Sequence, residues 1–283
     1  MPRAFRHFLD AIKFEHTVFA LPFAYVAMVL AADGWPGWRV VVWVTLAMTG
    51  ARTLAMSVNR LADRLIDAAN PRTAQRHLPT GLLAPWHMLL AAVASGALLA
   101  LSGWMLNPLC LKLAPWAALF LIGYSYTKRF TWTSHWILGF TDGIAAAGGW
   151  IAVSGMFAPP IFTLWFALTV WIAGFDLIYA CQDMDFDRRA GLHSFPARFG
   201  IAPALQAARV CHVLTVVAFG ALGWTMGLGW LYWAGIVVVA GLFVYEHSLV
   251  SPTDLSRLDV AFFNVNGYIA LILFAAVLGG RLF

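Results

Sequence analysis

The sequence predicts an all-α polytopic membrane protein with nine transmembrane helices, and three observations predict it. The first is composition: 283 residues, 61% hydrophobic and only 11% charged, with mean hydropathy +0.77. A soluble domain carries about 25% charged residues, so a water-soluble globule is excluded. Disorder is excluded too, because it needs low hydrophobicity and high charge. The second is segmentation. Nine apolar stretches, at about 14–32, 38–58, 86–106, 110–127, 135–154, 161–182, 204–224, 228–246 and 260–279, approach the ~20 residues that one span needs. Together they use up almost the whole chain, so it reads as a single membrane domain over 1–283.

The third observation is charge asymmetry. The N-terminus and the links near 59–86, 128–135, 183–203 and 247–259 hold 14 of the 18 Lys and Arg residues, counting Arg209 with them. The opposite links hold only Arg39, Lys112 and Arg281, and Arg52 lies inside a span. The positive-inside rule makes the first side cytoplasmic. The N-terminus is then inside and the C-terminus outside, as in a multi-pass protein of a bacterial-type inner membrane. The net charge of +5 and pI near 9.4 reflect these loops and call for no nucleic-acid partner.

Read in order, the basic N-terminus (Arg3, Arg6, Lys13) leads into Leu9–Glu15, which has the pattern of an interfacial helix. No small-residue cleavage site follows the first apolar run, so it reads as a retained span and not a signal peptide. The second span ends in Asn59-x3-Asp63-x3-Asp67 and the sixth in Asp183-x3-Asp187. Residues four apart stack on one helical face, about 6 Å apart along the axis. Each set is therefore a ladder of oxygen ligands, and Asp185 falls on the other face. The ladders lie on one side of the membrane and resemble halves of an internal pseudo-repeat.

Two facing carboxylate ladders repel unless something positive separates them. Hard oxygen ligands suit Mg²⁺, which typically joins one or two carboxylates to phosphate oxygens. The nearby Arg60, Arg64, Arg72, Arg188 and Arg189 suit an anionic phosphate substrate. Tyr124 and Lys128, four apart at the end of the fourth span, could share diphosphate oxygens, with Arg129 beside them. The alternative for this pair is a belt tyrosine with a snorkelling lysine.

Asp176 and Arg52 each stand seven residues, two helical turns, before a ladder. They suggest a polar cleft entering the membrane, or else a buried pair of opposite charges. Asp142 in the fifth span is a lone carboxylate with either a packing or a site role. The three cysteines, Cys110, Cys181 and Cys211, form no metal spacing and read as buried small hydrophobes. The histidines show no ligand spacing, and only His16 and His193 fall near the ladders.

These motifs, in this order, resemble the UbiA superfamily of intramembrane aromatic prenyltransferases. Phe175–Ala180, Lys13–Phe23, Ala51–Pro79 with Asn70-Pro71-Arg72-Thr73, and Gly191–Gly200 extend the resemblance over essentially the whole chain. The last three stretches are most similar to the 4-hydroxybenzoate polyprenyltransferase branch, which includes enzymes of the futalosine route to menaquinone. The resemblance implies nine helices around a central cavity, a Mg²⁺-bound polyprenyl diphosphate and an aromatic acceptor, and so a role in ubiquinone or menaquinone synthesis. It makes Asn59, Asp63, Asp67, Asp183 and Asp187 the metal set. Lys128, Tyr124, Arg60, Arg64, Arg72 and Arg129 then face the diphosphate, Asp176 activates the acceptor hydroxyl, and Arg52 holds an acceptor carboxylate. Two rivals are weaker. Asp142-Gly143 lacks the Ala-Arg that a CDP-alcohol phosphotransferase pattern would place after it. A secondary transporter predicts charge at mid-depth, whereas here it clusters at one face.

Overall fold

The computed structural model describes the backbone of residues 3–13 and 15–282 and the side chains of residues 6–13 and 21–281. His16 thus lies outside the described side chains. Twelve α-helices occupy the described residues: α1 (Arg3–Ala11), α2 (Glu15–Ala32), α3 (Trp38–Ala69), α4 (Pro85–Leu106), α5 (Pro108–Thr127), α6 (Ser134–Ser154), α7 (Pro159–Ala180), α8 (Met184–Ala190), α9 (Phe195–Phe199), α10 (Ile201–Thr225), α11 (Trp230–Ser248) and α12 (Asn266–Leu282). There is no strand among them.

Eight of the described helical segments are long and apolar enough to cross a membrane. The first expected span corresponds to α2, whose described apolar stretch, Leu21–Ala32, is shorter. The class is as expected, while the described residues support eight full-length spans and not a count of nine. Starts are set by local chemistry. Proline opens α4, α5 and α7 at their first turns, where its missing N–H costs nothing. Asn107 caps α5 by accepting from the Cys110 N–H at 2.9 Å.

The core sits around α7, which packs against α6 and α10, with Trp171, Leu168 and Leu177 fully buried. Small residues allow the close approach: Gly139 and Gly143 on α6 lie against Thr169 and Trp165 of α7. A second layer is α3 packed on α4 and α5. Large apolar side chains such as Trp104, Val213, Val237 and Val244 are exposed, as a lipid-facing surface requires.

Two departures from regular helix bear on the site. The helix expected to carry both Asp183 and Asp187 is broken: a 3₁₀ turn, Cys181–Asp183, separates α7 from α8. A π-helical turn, Val260–Val265, precedes α12, a distortion often found at functional sites. By contrast α3 runs unbroken to Ala69, about 48 Å in all. The Asn59–Asp67 ladder is therefore truly helical.

Candidate active site

The ends of α3, α5 and α7, the start of α6, α8 and the 70–84 loop converge on a cavity of about 440 Å³ at one end of the bundle. Asn59, Asp63 and Asp67 line it from α3, and Asp183 and Asp187 line it from the α7–α8 junction. Both ladders thus face one space despite the 3₁₀ break. Asp185 is exposed, on the other face as expected.

Three of the ladder carboxylates, Asp63, Asp67 and Asp183, are held by cations. Asp63 receives Lys128 Nζ at 2.5 Å, Arg129 Nη2 at 2.9 Å and Asn59 Nδ2 at 3.3 Å. Asp67 receives Arg76 Nη1 at 2.7 Å, while Arg60 stands 3.9 Å away with its Nε donating to Ala11 O. Asp183 accepts a two-pronged contact from Arg72 (2.9 and 2.6 Å) and one from Asn70 Nδ2 (3.0 Å). Arg72 also donates to the Tyr179 hydroxyl at 3.1 Å. Burial works against the Arg72 charge, but Asp183 outweighs it and raises the guanidinium pKa above its ordinary value. Asn70 and Arg72 thereby tie the segment after the first ladder to the second.

Simple ion pairing would leave no carboxylate oxygen wanting a partner. Asp67 Oδ2 is buried and accepts no hydrogen bond, its nearest cation being Arg60 Nη1 at 3.9 Å. A buried orphan acceptor costs roughly 1–3 kcal/mol. Convergent Asp oxygens with such an orphan fit a hard divalent cation better than a closed structural ion-pair set does. Asn59, Asp63, Asp67, Asp183 and Asp187 could hold it.

Deeper in the cavity Asp176 and Arg52 both line the cleft, and the alternative of a buried Asp176–Arg52 pair does not form. Asp176 Oδ2 instead faces His135 Nδ1 at 2.6 Å. The Phe195 N–H donates to His135 Nε2 at 3.2 Å, so Nε2 is the acceptor and Nδ1–H donates to Asp176. Arg52 makes no ion pair among the described residues, and its buried Nε has no hydrogen-bond partner. Arg52 and Asp142 line this cavity and also a second, mostly apolar cavity of about 220 Å³ between α3, α5 and α6. Tyr124 lines the first cavity beside Lys128.

Several expectations need correction. Arg64 is exposed and faces away, because a residue next to a ladder position points about 100° round the helix. Arg188 and Arg189 are likewise exposed, and Arg188 Nε is spent on Ala197 O at 2.7 Å. Arg129 does not line the cavity but braces Asp63 and the Ala62 carbonyl. His193 is exposed, and only its backbone N–H engages, with Lys128 O. The residues missed are Arg76, Asn70 and His135. His135 carried no signal, being 41 residues from Asp176 with no spacing rule to join them. Arg76 and Asn70 lay in plain view in the loop after the first ladder.

The lining formally balances: six cations (Lys13, Arg52, Arg60, Arg72, Arg76, Lys128) and six carboxylates (Asp63, Asp67, Asp142, Asp176, Asp183, Asp187). Such a lining carries no formal net charge.

Comparison with known proteins agrees with this fold. Residues 20–272 match the model of the UbiA prenyltransferase family. The 4-hydroxybenzoate octaprenyltransferase of Vibrio cholerae is 32% identical over 261 residues, covering 89% of this chain and 88% of that protein. The enzyme of that name from Saccharophagus degradans is 30% identical over 253 residues, covering 89% and 84%. Among solved structures, a UbiA homolog from Aeropyrum pernix superposes with TM-score 0.86 at 31% identity, covering 93% of this chain and 97% of that one. A homolog from Archaeoglobus fulgidus, solved with DMAPP and Mg²⁺, shares the fold at TM-score 0.69 and 17% identity, covering 95% and 98%.

Proposed function

Given that this chain belongs to the UbiA prenyltransferase family, and so is a multi-pass membrane enzyme of aromatic prenyl transfer, we propose that it moves a polyprenyl group from its diphosphate to an aromatic hydroxy acid. The acceptor is of the 4-hydroxybenzoate or 1,4-dihydroxy-6-naphthoate type, and the product is a precursor of ubiquinone or menaquinone. The two relatives named for 4-hydroxybenzoate support the first acceptor. The family leaves the transporter reading without support.

The observation that carries the proposal is the convergence of both carboxylate ladders on a cavity that also holds Lys128, Arg72 and Arg76. Asn59, Asp63, Asp67, Asp183 and Asp187 would hold Mg²⁺, which when bound neutralises charge on the diphosphate. Lys128 and Arg76, now on Asp63 and Asp67, are placed to turn to diphosphate oxygens, with Arg72 and Arg60 behind them. Breaking the allylic C–O bond leaves a carbocation that water would quench, and the aromatic wall of Trp171, Phe175 and Phe262 keeps water out.

Arg52, a half-buried cation with an unpartnered buried Nε and no ion pair among the described residues, holds the acceptor carboxylate. Asp176 takes the acceptor's hydroxyl proton, and His135, donating from Nδ1, orients that carboxylate. Tyr124 positions the diphosphate end. Arg129 acts by holding Asp63, and Arg64 has no part. The two ladders are halves of a pseudo-repeat within one domain, and the cavity opens to the cytoplasm.

The test is incubation of membranes bearing the protein with Mg²⁺, a labelled polyprenyl diphosphate and each acceptor in parallel. Label should pass to one acceptor. Failure with both would overturn the acceptor class.

A further inference from the structure

Away from the aspartates, His7 and Asp10 on α1 and His77 in the 70–84 loop each offer one ligand atom, all within 4.8 Å of one another. His7 and Asp10 are three apart and share a helical face. The two imidazole rings lie 5.3 Å apart, centroid to centroid. Among the described residues none of these three side chains has a hydrogen-bond or ion-pair partner. The ladders offer hard oxygens, whereas this cluster offers two imidazoles and one carboxylate. Imidazole selects zinc-type metals over Mg²⁺, and three protein ligands leave a fourth position for water.

The cluster joins two segments that matter to the cavity. α1 rests on a small apolar cluster of Ala11, Ile12, Met56, Leu83 and Met88, and its Ala11 carbonyl takes the Arg60 Nε. The loop bearing His77 delivers Asn70 and Arg72 to Asp183, and Arg76 to Asp67. His77 is the residue next to Arg76. A metal shared by His7, Asp10 and His77 therefore fastens α1 to the loop that supplies the cavity's cations.

We propose that His7, Asp10 and His77 form a binding site for a zinc-type divalent metal, distinct from the aspartate site, that clamps the N-terminal helix onto this loop. Metal binding closes two elements remote in sequence into one unit and stiffens the loop that presents Arg72 and Arg76. This assignment does not depend on the proposed acceptor or on the aspartate metal set.

The test uses the full chain in detergent with excess Mg²⁺ to occupy the aspartates. Co²⁺ is titrated and followed by its visible ligand-field absorption, which distinguishes imidazole-bearing four-coordinate sites from all-oxygen ones. His77→Ala and His7→Ala should each weaken Co²⁺ binding by about 100-fold or more, since loss of an outer-sphere partner alone costs about 10–100-fold. Asp10→Asn, an exposed change that cannot unfold the helix, should weaken it as well. The double variant Asp63→Asn, Asp183→Asn should keep it. Zn²⁺ should slow amide exchange in residues 3–12 and 70–84 of the wild type and not of His77→Ala. Unchanged Co²⁺ affinity in Asp10→Asn and His77→Ala, or its loss in the aspartate double variant, would overturn the proposal.

Discussion

Replacing Gly139 by alanine tests whether the α6–α7 contact sets the catalytic geometry. Gly139 is buried one turn after His135 on α6, and Asp176 sits on the facing α7. A methyl at Gly139 would overlap the Thr169 carbonyl oxygen and stand 3.0 Å from Thr169 C and 3.2 Å from Ala173 N. These are backbone atoms, so no side chain can swing aside and the helices must part by roughly 1 Å. Overpacking of this kind costs about 1–3 kcal/mol. The same shift lengthens the 2.6 Å His135–Asp176 bond to about 3.6 Å, beyond hydrogen-bond range. A ~1 Å misplacement typically costs about 100-fold in rate. Gly139→Ala should therefore lower the thermal midpoint and cut kcat by about two orders of magnitude. Gly96→Ala on α4 is the control, because an added methyl there meets nothing within 4 Å. It should gain up to ~1 kcal/mol of helix propensity and leave turnover alone. Wild-type kcat in Gly139→Ala, measured by product formation in the same membranes, would refute the claim that this contact positions His135 and Asp176.

Other expectations follow from the site. Turnover should vanish in excess EDTA and return with Mg²⁺ or Mn²⁺; undiminished activity in EDTA would sink the two-ladder reading. Asp63→Asn and Asp183→Asn should each abolish turnover in a folded protein, while the exposed Asp185→Asn should lose little; equal losses would show the face assignment to be wrong. Asp176→Asn should stay folded and lose transfer, and adding Arg52→Gln should not restore it, because these two residues do not pair here; recovered product in the double variant would contradict that. His135→Ala should leave the half-buried Phe195 N–H and Asp176 without this partner, costing about 1 kcal/mol for each hydrogen bond lost, read as a lowered melting temperature together with lowered kcat.

Much of this was legible in the chain because the governing physics is local. A four-residue repeat on a helix fixes a face wherever that helix packs, so Asn59, Asp63 and Asp67 could be placed together from spacing alone. Apolar run length marked eight spans for the same reason. Relative rotation of helices is not local, and there spacing left the alternatives open. Arg52 and Asp176 sit at matching depths, yet only the docking of α6 on α7 decides that His135 and not Arg52 meets Asp176. The loop after α3 was equally opaque, because its turns are what bring Asn70, Arg72 and Arg76 inward. The 3₁₀ turn at Cys181–Asp183 interrupted the second ladder without changing the side it faces.

The equal number of cations and carboxylates around the cavity has an electrical consequence. A prenyl diphosphate trianion with one Mg²⁺ retains a single negative charge, and with two it becomes singly positive. Either guest would bring a single elementary charge into a formally neutral lining. One elementary charge crossing the full field is worth about 2.3 kcal/mol per 100 mV. An enzyme that admitted bare diphosphate would be throttled or driven by membrane potential as the cell's energy state changed. Pairing with metal would thus cut the charge that senses the potential from three to one.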